Sequence, residues 1–324
     1  MAKVLTDPQN YQNIANAIRG KNGSSSTYSP SQMASAITNL PTGGDTLAQA
    51  FDGTLQSYTY SGNKTSVGQY EGNVFRGDTI NLPTITSVSQ YAFASNNGVR
   101  VLNIPNLQIT SNSATGVFNY CSALESITIK KLGGTAQSQF EGCTSLVTVT
   151  VTNGISRIGK NCFLGCSALV NIDMSTADLV SENSFKNCSS LQELHFDGLK
   201  TSSYFVKCVD GCTSLKTVDI GKSQQTGYGT TFGQLASSTG NLTSFDTLII
   251  RKTDAISALN QTPTNAFSSA SPLVNGNGYV YVPSALKSTY EGASNWSTLV
   301  GQFRALEDYT VDETTTGNLD PTKI

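Results

Sequence analysis

An acidic cluster around the single histidine invites a catalytic interpretation of this sequence. Asp173, His195 and Asp219 occupy equivalent positions in three successive copies of a short repeated pattern, and Glu193 and Asp197 flank the histidine. A histidine beside carboxylates suits general acid–base chemistry, as in a polysaccharide-degrading enzyme, or the binding of a metal ion.

Catalysis by this cluster would require a cleft that excludes water and shifts the pKa of its members. The three positions alternate with apolar residues, which predicts that they point outward from short strands into solvent. The sequence also lacks a second histidine, a serine on a nucleophile elbow and a glycine-rich phosphate loop after a strand. We therefore predict that the protein is not an enzyme and that the cluster is part of a solvated polar face.

The seven cysteines invite a second interpretation, as zinc ligands or redox groups. Five of them, however, occupy one position of the repeated pattern: Cys121, Cys143, Cys166, Cys188 and Cys212. A small residue at a repeated position predicts a packed column, in which free thiols behave as small hydrophobic groups. We predict buried, reduced cysteines, with no metal and no cofactor.

The repeated pattern runs from Phe118 to Ile220 in five copies, whose cysteines lie 22, 23, 22 and 24 residues apart. Two apolar residues two positions apart, such as Ile127 and Ile129, predict a short strand with both side chains inward. A unit of this size cannot bury its apolar side alone, so we expect the units to stack as coils with their strands in a parallel ladder. The core should contain the leucine that follows each cysteine and the phenylalanine that precedes the first four: Leu124, Leu146, Leu169, Leu191, Leu215, Phe118, Phe140, Phe163 and Phe185.

The same offsets continue upstream to Ile80 and downstream to Val282. The ladder should therefore have about nine strands and, at roughly 4.8 Å between neighbours, a length on the order of 40 Å. Polar residues on the outward side of these strands are the candidate ligand-binding face: Thr128, Thr150, Asn171, Asp173, Glu193, His195 and Asp219.

The stretch GKNCFLGCSALVNI, residues 159–172, resembles the BspA-type (Treponema-type) leucine-rich repeat, whose usual unit is Ile-Gly-x-x-Ala-Phe-x-x-Cys-x-x-Leu-x-x-Ile-x-Ile-Pro. The resemblance covers roughly residues 65–283. It implies an α/β repeat solenoid, with a parallel ladder of short strands and an irregular convex side. The family's isoleucine is replaced by Ser113 and Thr135 in two units, where we expect irregular coils.

Composition argues against several partner classes. Charged residues are 13% of the chain and its formal net charge is -2, so we expect no nucleic acid and no anionic membrane surface as a partner. No apolar run approaches the ~18 residues of a membrane span, and the first eight residues lack the apolar core of a signal peptide. We expect synthesis in the bacterial cytoplasm without membrane insertion. Arg76-Gly77-Asp78 spells a cell-attachment tripeptide, for which chance is the better explanation.

Residues 7–40 predict two short amphipathic helices, the first capped at Asp7-Pro8 and the second at Ser29-Pro30. The segments 14–23 and 28–37 resemble an N-terminal module of tail- and baseplate-associated proteins of phages that infect Gram-positive bacteria. The resemblance implies attachment to other tail or baseplate proteins through residues 1–44. A solvated helical cap of the solenoid is the alternative.

Four segments follow from these patterns. They are a helical hairpin (1–44), an N-terminal cap (45–64), a solenoid (65–283) with an insert at 221–245, and a C-terminal cap and tail (284–324). Insertions in solenoids form loops that often bind ligands, which makes Tyr228 and Phe232 further candidates.

A recognition solenoid, no signal peptide and a tail-like module together indicate a virion protein of a phage or phage-derived particle. We expect it to be attached to the tail fibre or baseplate, in one or several copies, and to bind a host cell-surface glycan or protein. A bacterial BspA-like surface adhesin or interaction scaffold is the alternative, and an enzyme acting on polysaccharide is a third possibility that would need a cleft at His195.

Overall fold

The computed structural model describes residues 57–199, 207–221, 241–251 and 270–308. The helices predicted for residues 7–40 and the insert residues Tyr228 and Phe232 lie outside this part of the chain. Within it, short strands predominate: β1 (Ser57–Thr59), β2 (Ser66–Val67), β3 (Gly77–Asn81), β4 (Ser87–Val88), β5 (Val99–Ile109), β6 (Ser126–Leu132), β7 (Thr148–Val151), β8 (Arg157–Ile158), β9 (Leu179–Val180), β10 (Glu193–His195), β11 (Thr217–Asp219), β12 (Thr247–Ile249), β13 (Tyr279–Val282) and β14 (Phe303–Ala305). Helix α1 spans Ser284–Gly292, and 3-10 helices span Glu71–Val74, Ser294–Gln302 and Leu306–Asp308.

The predicted parallel ladder is confirmed and is divided into two sheets. The first sheet has the order β1-β3-β5-β6-β7 and the second the order β10-β11-β12-β13-β14, with every pair of neighbours parallel. Equivalent residues pair: Ile127 lies opposite Leu102 on one side and Val149 on the other. Two strands extend the ladder beyond its expected ends, because Tyr58 pairs with Ile80 and Phe303 pairs with Val280.

The ladder is interrupted where one more strand was expected, at Ile172–Met174. Ile172 and Met174 are buried as predicted, but no strand forms there. The Asp173 carboxylate accepts hydrogen bonds from the backbone N–H and the hydroxyl of Ser175, at 3.0 and 2.7 Å. Such a local side-chain bond offers the backbone an alternative to strand pairing and turns the chain early.

A column of phenylalanine rings forms the centre of the core. The rings of Phe93, Phe118, Phe140, Phe163 and Phe185 stack in order, with neighbouring centroids 5.1–5.5 Å apart. This spacing is close to the distance between neighbouring strands, so one ring per coil fills the stack without gaps. The five repeat leucines are buried beside the column.

The repeat cysteines form a second column. Each thiol donates to the carbonyl oxygen of the phenylalanine in the preceding coil, as Cys143 does to Phe118 at 3.0 Å. The same bond, at 3.0–3.1 Å, recurs at Cys121, Cys166, Cys188 and Cys212. The cysteine therefore fills a small apolar site and also satisfies a buried carbonyl group.

Left-handed residues turn the chain at each phenylalanine. The positions two residues before and two residues after the ring have positive φ, as at Asn161 (59°) and Gly165 (76°) around Phe163. Glycine and asparagine adopt this conformation at low cost. These corners bring the chain from one coil into the next.

The C-terminal segment closes the second sheet. Tyr290 on α1 is buried, and Trp296 and Phe303 lie against its ring with centroids 5.7 and 5.8 Å away. The burial of Tyr290 and Trp296 matches the cover expected at the end of the core, while β14 was not predicted.

Candidate ligand-binding surface

The outward side of the first sheet is an exposed polar row. Asn103 Nδ2 donates to Asn81 Oδ1 at 2.8 Å, and Asn81 Nδ2 donates to Thr59 Oγ1 at 3.1 Å. Thr128 and Thr150 continue the row, since each pairs in register with its neighbour. The row therefore presents hydroxyl and amide groups at one strand spacing, and hydrogen bonds hold its first three members in place.

An arginine fork borders this row. Arg100 Nε and Nη2 bind the two carboxylate oxygens of Glu125, each at 2.8 Å, and Nη1 binds Asp78 in the coil before. The hydrogen bond and charge of Arg100 hold the pKa of Glu125 below its ordinary value. The single guanidinium offsets only one of the two carboxylates, so the fork leaves one net negative charge beside the row.

Asp78 and Arg76 belong to the tripeptide noted in the sequence. Arg76 Nη1 donates to the carbonyl oxygens of Asn73 and Phe75, at 2.5 and 2.8 Å. Asp78 is bound by Arg100, and Gly77 begins β3. Because both charged ends are engaged within the chain, the geometry agrees with a chance occurrence of this tripeptide.

The structure brings three of the five members of the acidic cluster, Glu193, His195 and Asp219, together in the second sheet. His195 pairs in register with Asp219, and its Nε2 lies 3.2 Å from Glu193 Oε2. Its Nδ1 lies 3.7 Å from Asp219 Oδ2, beyond hydrogen-bond distance. Burial disfavours the charged imidazole, but the Asp219 and Glu193 carboxylates outweigh it and raise the pKa of His195.

Asp219 differs from the outward, solvated residue that was expected. Its side chain is 5% exposed, its Oδ2 lies 2.7 Å from Arg251 Nε, and its Oδ1 accepts the Gly221 N–H at 2.8 Å. The carboxylate is therefore satisfied by a guanidinium and a backbone group, which is the condition for burying a charge. This arrangement gives Asp219 a structural role in the turn after β11.

Asp173 does not join His195, although stacking was expected to place them on successive strands. Its carboxylate is engaged by Ser175, and the segment around it is not a strand. Asn171 is exposed beside it. The constellation of two carboxylates around a histidine at three consecutive rungs is thus absent.

The outward sides of the two sheets also differ in burial. Asp219, Ile249 and Tyr281 follow one another in register on the second sheet, and all three are buried. Thr59 and Thr150 at the corresponding positions of the first sheet are exposed, and Asn81, Asn103 and Thr128 are partly exposed. Only the first sheet therefore offers a continuous outward surface in the part of the chain that the structure describes.

The repeats of this chain match a known protein family. A model of the BspA type leucine rich repeat region matches residues 48–135 and 114–239, with six copies of the repeat. These ranges cover more than half of the chain, and they contain the phenylalanine and cysteine columns. The chain belongs to the BspA-type leucine-rich repeat family.

Solved structures of leucine-rich repeat proteins are also similar to this BspA-type chain. A leucine rich repeat protein of T. pallidum is 16% identical, over 52% of this chain and 75% of that one, with a TM-score of 0.26. A leucine rich cell surface protein of Faecalibacterium prausnitzii is 15% identical over 77% and 90% of the two chains (TM-score 0.24). A leucine-rich repeat protein of Bacteroides ovatus is 15% identical over 78% and 92% (TM-score 0.21). No curated protein matches significantly.

The cysteines of the BspA-type repeats are free and buried, and burial raises the pKa of the Cys208 thiol to about 12. Such thiols are poor nucleophiles and poor metal ligands. Within the four described ranges, no group of three or more His, Cys, Asp or Glu residues could hold a metal ion. In the same ranges, no helix is both long and apolar enough to span a bilayer.

Sequence reasoning missed Thr59, Asn81, Arg100 and Arg251 as contributors to these surfaces. The first two have the same offset from their strands as Thr128, so the repeat register could have identified them. Arg251 lies 32 residues after Asp219, and no periodic signal connects the two.

Proposed function

We propose that this chain is a non-catalytic recognition protein that binds its ligand through the outward side of the first sheet. The observation that carries the proposal is the row Thr59, Asn81, Asn103, Thr128 and Thr150, which is polar, accessible and in register. A rigid array of hydroxyl and amide groups suits hydrogen bonding to a surface glycan or to the backbone of a partner protein. Many weak contacts, repeated in copies on one particle, would give the avidity that such a role needs.

We further propose that the particle is a phage tail or a phage-derived device, with residues 1–44 attached to the tail or baseplate and the solenoid facing the host. The support for this part is the resemblance of residues 14–37 to tail-associated modules. Family membership by itself is equally compatible with a BspA-like adhesin or interaction scaffold in the bacterial envelope.

A test of the binding face uses purified Gram-positive cell walls, intact or stripped of their polysaccharide, as the probe. Thr128→Val with Thr150→Val keeps the shape of the strand and removes two hydroxyl groups. At ~0.5–1.5 kcal/mol per hydrogen bond, we expect the pair to weaken binding by about tenfold. Thr135→Val is a matched control because Thr135 is exposed in the turn after β6. Equal binding by the pair and the control would contradict the proposal.

A test of location uses antibody to the C-terminal segment on sectioned bacteria and on particles released by lysis. Label at tail tips supports the virion role. Loss of that label after deletion of residues 1–44 would show that this segment attaches the chain to the tail. Label confined to the envelope of intact bacteria would contradict the virion role and support the adhesin alternative.

A further inference from the structure

Three tyrosines occupy left-handed corners at the N-terminal end of the solenoid. Tyr70, Tyr91 and Tyr120 have φ of 58°, 55° and 57°. Tyr70 and Tyr120 are 47% and 52% exposed, the highest values among large hydrophobic side chains in the described ranges. A bulky residue with positive φ is an uncommon and costly choice, and such strain is concentrated at functional sites.

Later coils show that the fold does not require an aromatic residue at these corners. The position of Tyr120, two residues after the phenylalanine, is taken by Gly142, Gly165, Asn187 and Gly211. The position of Tyr70 and Tyr91 is taken by Gly116, Ser138, Asn161, Asn183 and Lys207. Glycine or asparagine takes seven of these nine later positions and avoids the cost that the tyrosines carry, so the fold itself does not impose tyrosine there.

The rings are also held in place. Tyr70 and Tyr91 stack with centroids 6.0 Å apart and planes 10° apart. Tyr91 lies over Gly116 and Tyr120 lies over Gly142, where a Cβ atom would meet the rings at 2.6 and 2.5 Å. The Tyr120 hydroxyl donates to Glu141 Oε1 at 3.0 Å. Fixed rings lose little conformational entropy when they bind a ligand.

We propose that Tyr70, Tyr91 and Tyr120 form an aromatic ridge that binds a neutral oligosaccharide. The apolar C–H faces of sugar rings pack against the tyrosine rings, and the neighbouring carboxylates accept hydrogen bonds from sugar hydroxyls. The ridge lies at the phenylalanine corners and not on the outward side of the first sheet, so the inference is independent of the function proposed above.

Charge and size favour a neutral glycan over other partners. The carboxylates at the ridge are Glu71, which is paired with Lys64, and Glu141. They would repel the phosphates of a nucleic acid, whose binding requires a basic surface. The three coils span roughly 10 Å along the solenoid, whereas a patch of the ~800 Å² that each partner buries in a stable protein interface is roughly 30 Å across. A few sugar rings fit this length.

The test measures saturation-transfer NMR signals and affinity of the full chain for linear tetrasaccharides of glucose, galactose and N-acetylglucosamine. Tyr70→Asn with Tyr120→Asn uses a residue that later coils place at equivalent corners, so Tm should stay within about 3 °C of the wild type. We expect the wild type to bind at least one probe and the asparagine pair to bind it at least about tenfold more weakly. Tyr70→Phe with Tyr120→Phe keeps the rings and should stay within about threefold. Val147→Asn, which changes an equally exposed side chain elsewhere, should have no effect.

Three results would overturn the ridge. The first is no wild-type binding to any probe at concentrations up to about 10 mM. The second is unchanged binding by the asparagine pair. The third is a loss of binding accompanied by a large fall in Tm, which would show that the tyrosines support the fold and do not contact the sugar.

Discussion

The rings of Phe140 and Phe163 lie parallel, with an interplanar angle of 0° and centroids 5.1 Å apart, although 23 residues separate them in the chain. The same relationship continues through Phe93, Phe118 and Phe185. Because each of the three middle rings contacts one ring above and one below, the column couples neighbouring coils. Stability should therefore depend strongly on the middle rings.

Phe140→Ala should lower the free energy of unfolding by about 3–5 kcal/mol, because it leaves a cavity between two rings. Urea denaturation followed by circular dichroism measures the change. Val147→Ala is the control, since Val147 is exposed in the same coil and should change stability by less than ~0.5 kcal/mol. A loss below about 1 kcal/mol at Phe140 would show that the ring column does not couple the coils.

The loss of stability when a corner glycine is replaced by alanine should depend on the atoms that the new Cβ atom would meet. Gly165→Ala, at φ 76° with no atom closer than 3.9 Å, should cost about 1–2 kcal/mol for the left-handed backbone alone. Gly142→Ala has a similar φ of 74° and would also push the Tyr120 ring, so it should cost more. Thermal unfolding of both variants checks the order. Equal costs would mean that Tyr120 moves aside freely.

The seven cysteines should be unreactive in the folded protein. All seven are buried, and burial raises the pKa values of Cys162, Cys166 and Cys208, which lowers the thiolate fraction at neutral pH. Mass spectrometry after treatment with iodoacetamide should find no label under native conditions and complete labelling in denaturant. Rapid native labelling at Cys143 would contradict its hydrogen bond to Phe118.

The buried carboxylate of Asp219 should require its ion pair with Arg251 for the fold to keep its stability. Arg251→Met leaves a buried carboxylate without its guanidinium and should cost about 3 kcal/mol. Asp219→Asn in the same chain removes the unpaired charge, so the double variant should recover part of the loss. Chemical denaturation of the wild type, both single variants and the double variant gives the coupling energy. A coupling near zero would mean that the 2.7 Å contact contributes little to stability.

His195 should titrate above its ordinary pKa of about 6.5, because the Asp219 and Glu193 carboxylates outweigh its burial. A raised pKa in the folded state means that protonation stabilises the fold. This contribution is complete below pH ~6.5 and is lost as the pH rises through the folded pKa. NMR titration is direct, since the chain has one histidine. His195→Gln should therefore destabilise more at about pH 5.5 than at about pH 8.5, and a measured pKa below ~6.5 would contradict the geometry.

The repeated features were predictable because several copies of one pattern report the same environment. Leu124 and Leu146 are buried at equivalent places, and Ile127 pairs with Val149, as their spacing requires. Features that occur only once in the chain could not be predicted in this way. One hydrogen-bonding pair, Asp173 and Ser175, interrupts the ladder, and no repeated pattern in the sequence predicts it.

The candidate site was predictable only in part. Thr128 and Thr150 lie on the exposed row, as expected from alternation along a strand. The burial of Asp219 was not predictable, because its partner Arg251 comes from a different coil, 32 residues away. The tyrosine corners were missed because their backbone conformation, and not their residue pattern, distinguishes them.

The stacked solenoid requires equivalent residues of successive coils to lie in one file, and spin-label distances test this most directly. With Thr59→Cys as the fixed site and Asn103→Cys, Thr128→Cys or Thr150→Cys as the second, electron-spin distances should be roughly 10, 14 and 19 Å, before label length is included. These values correspond to two, three and four spacings of ~4.8 Å. Distances that fail to increase with each coil would contradict the stacked solenoid and, with it, the binding face.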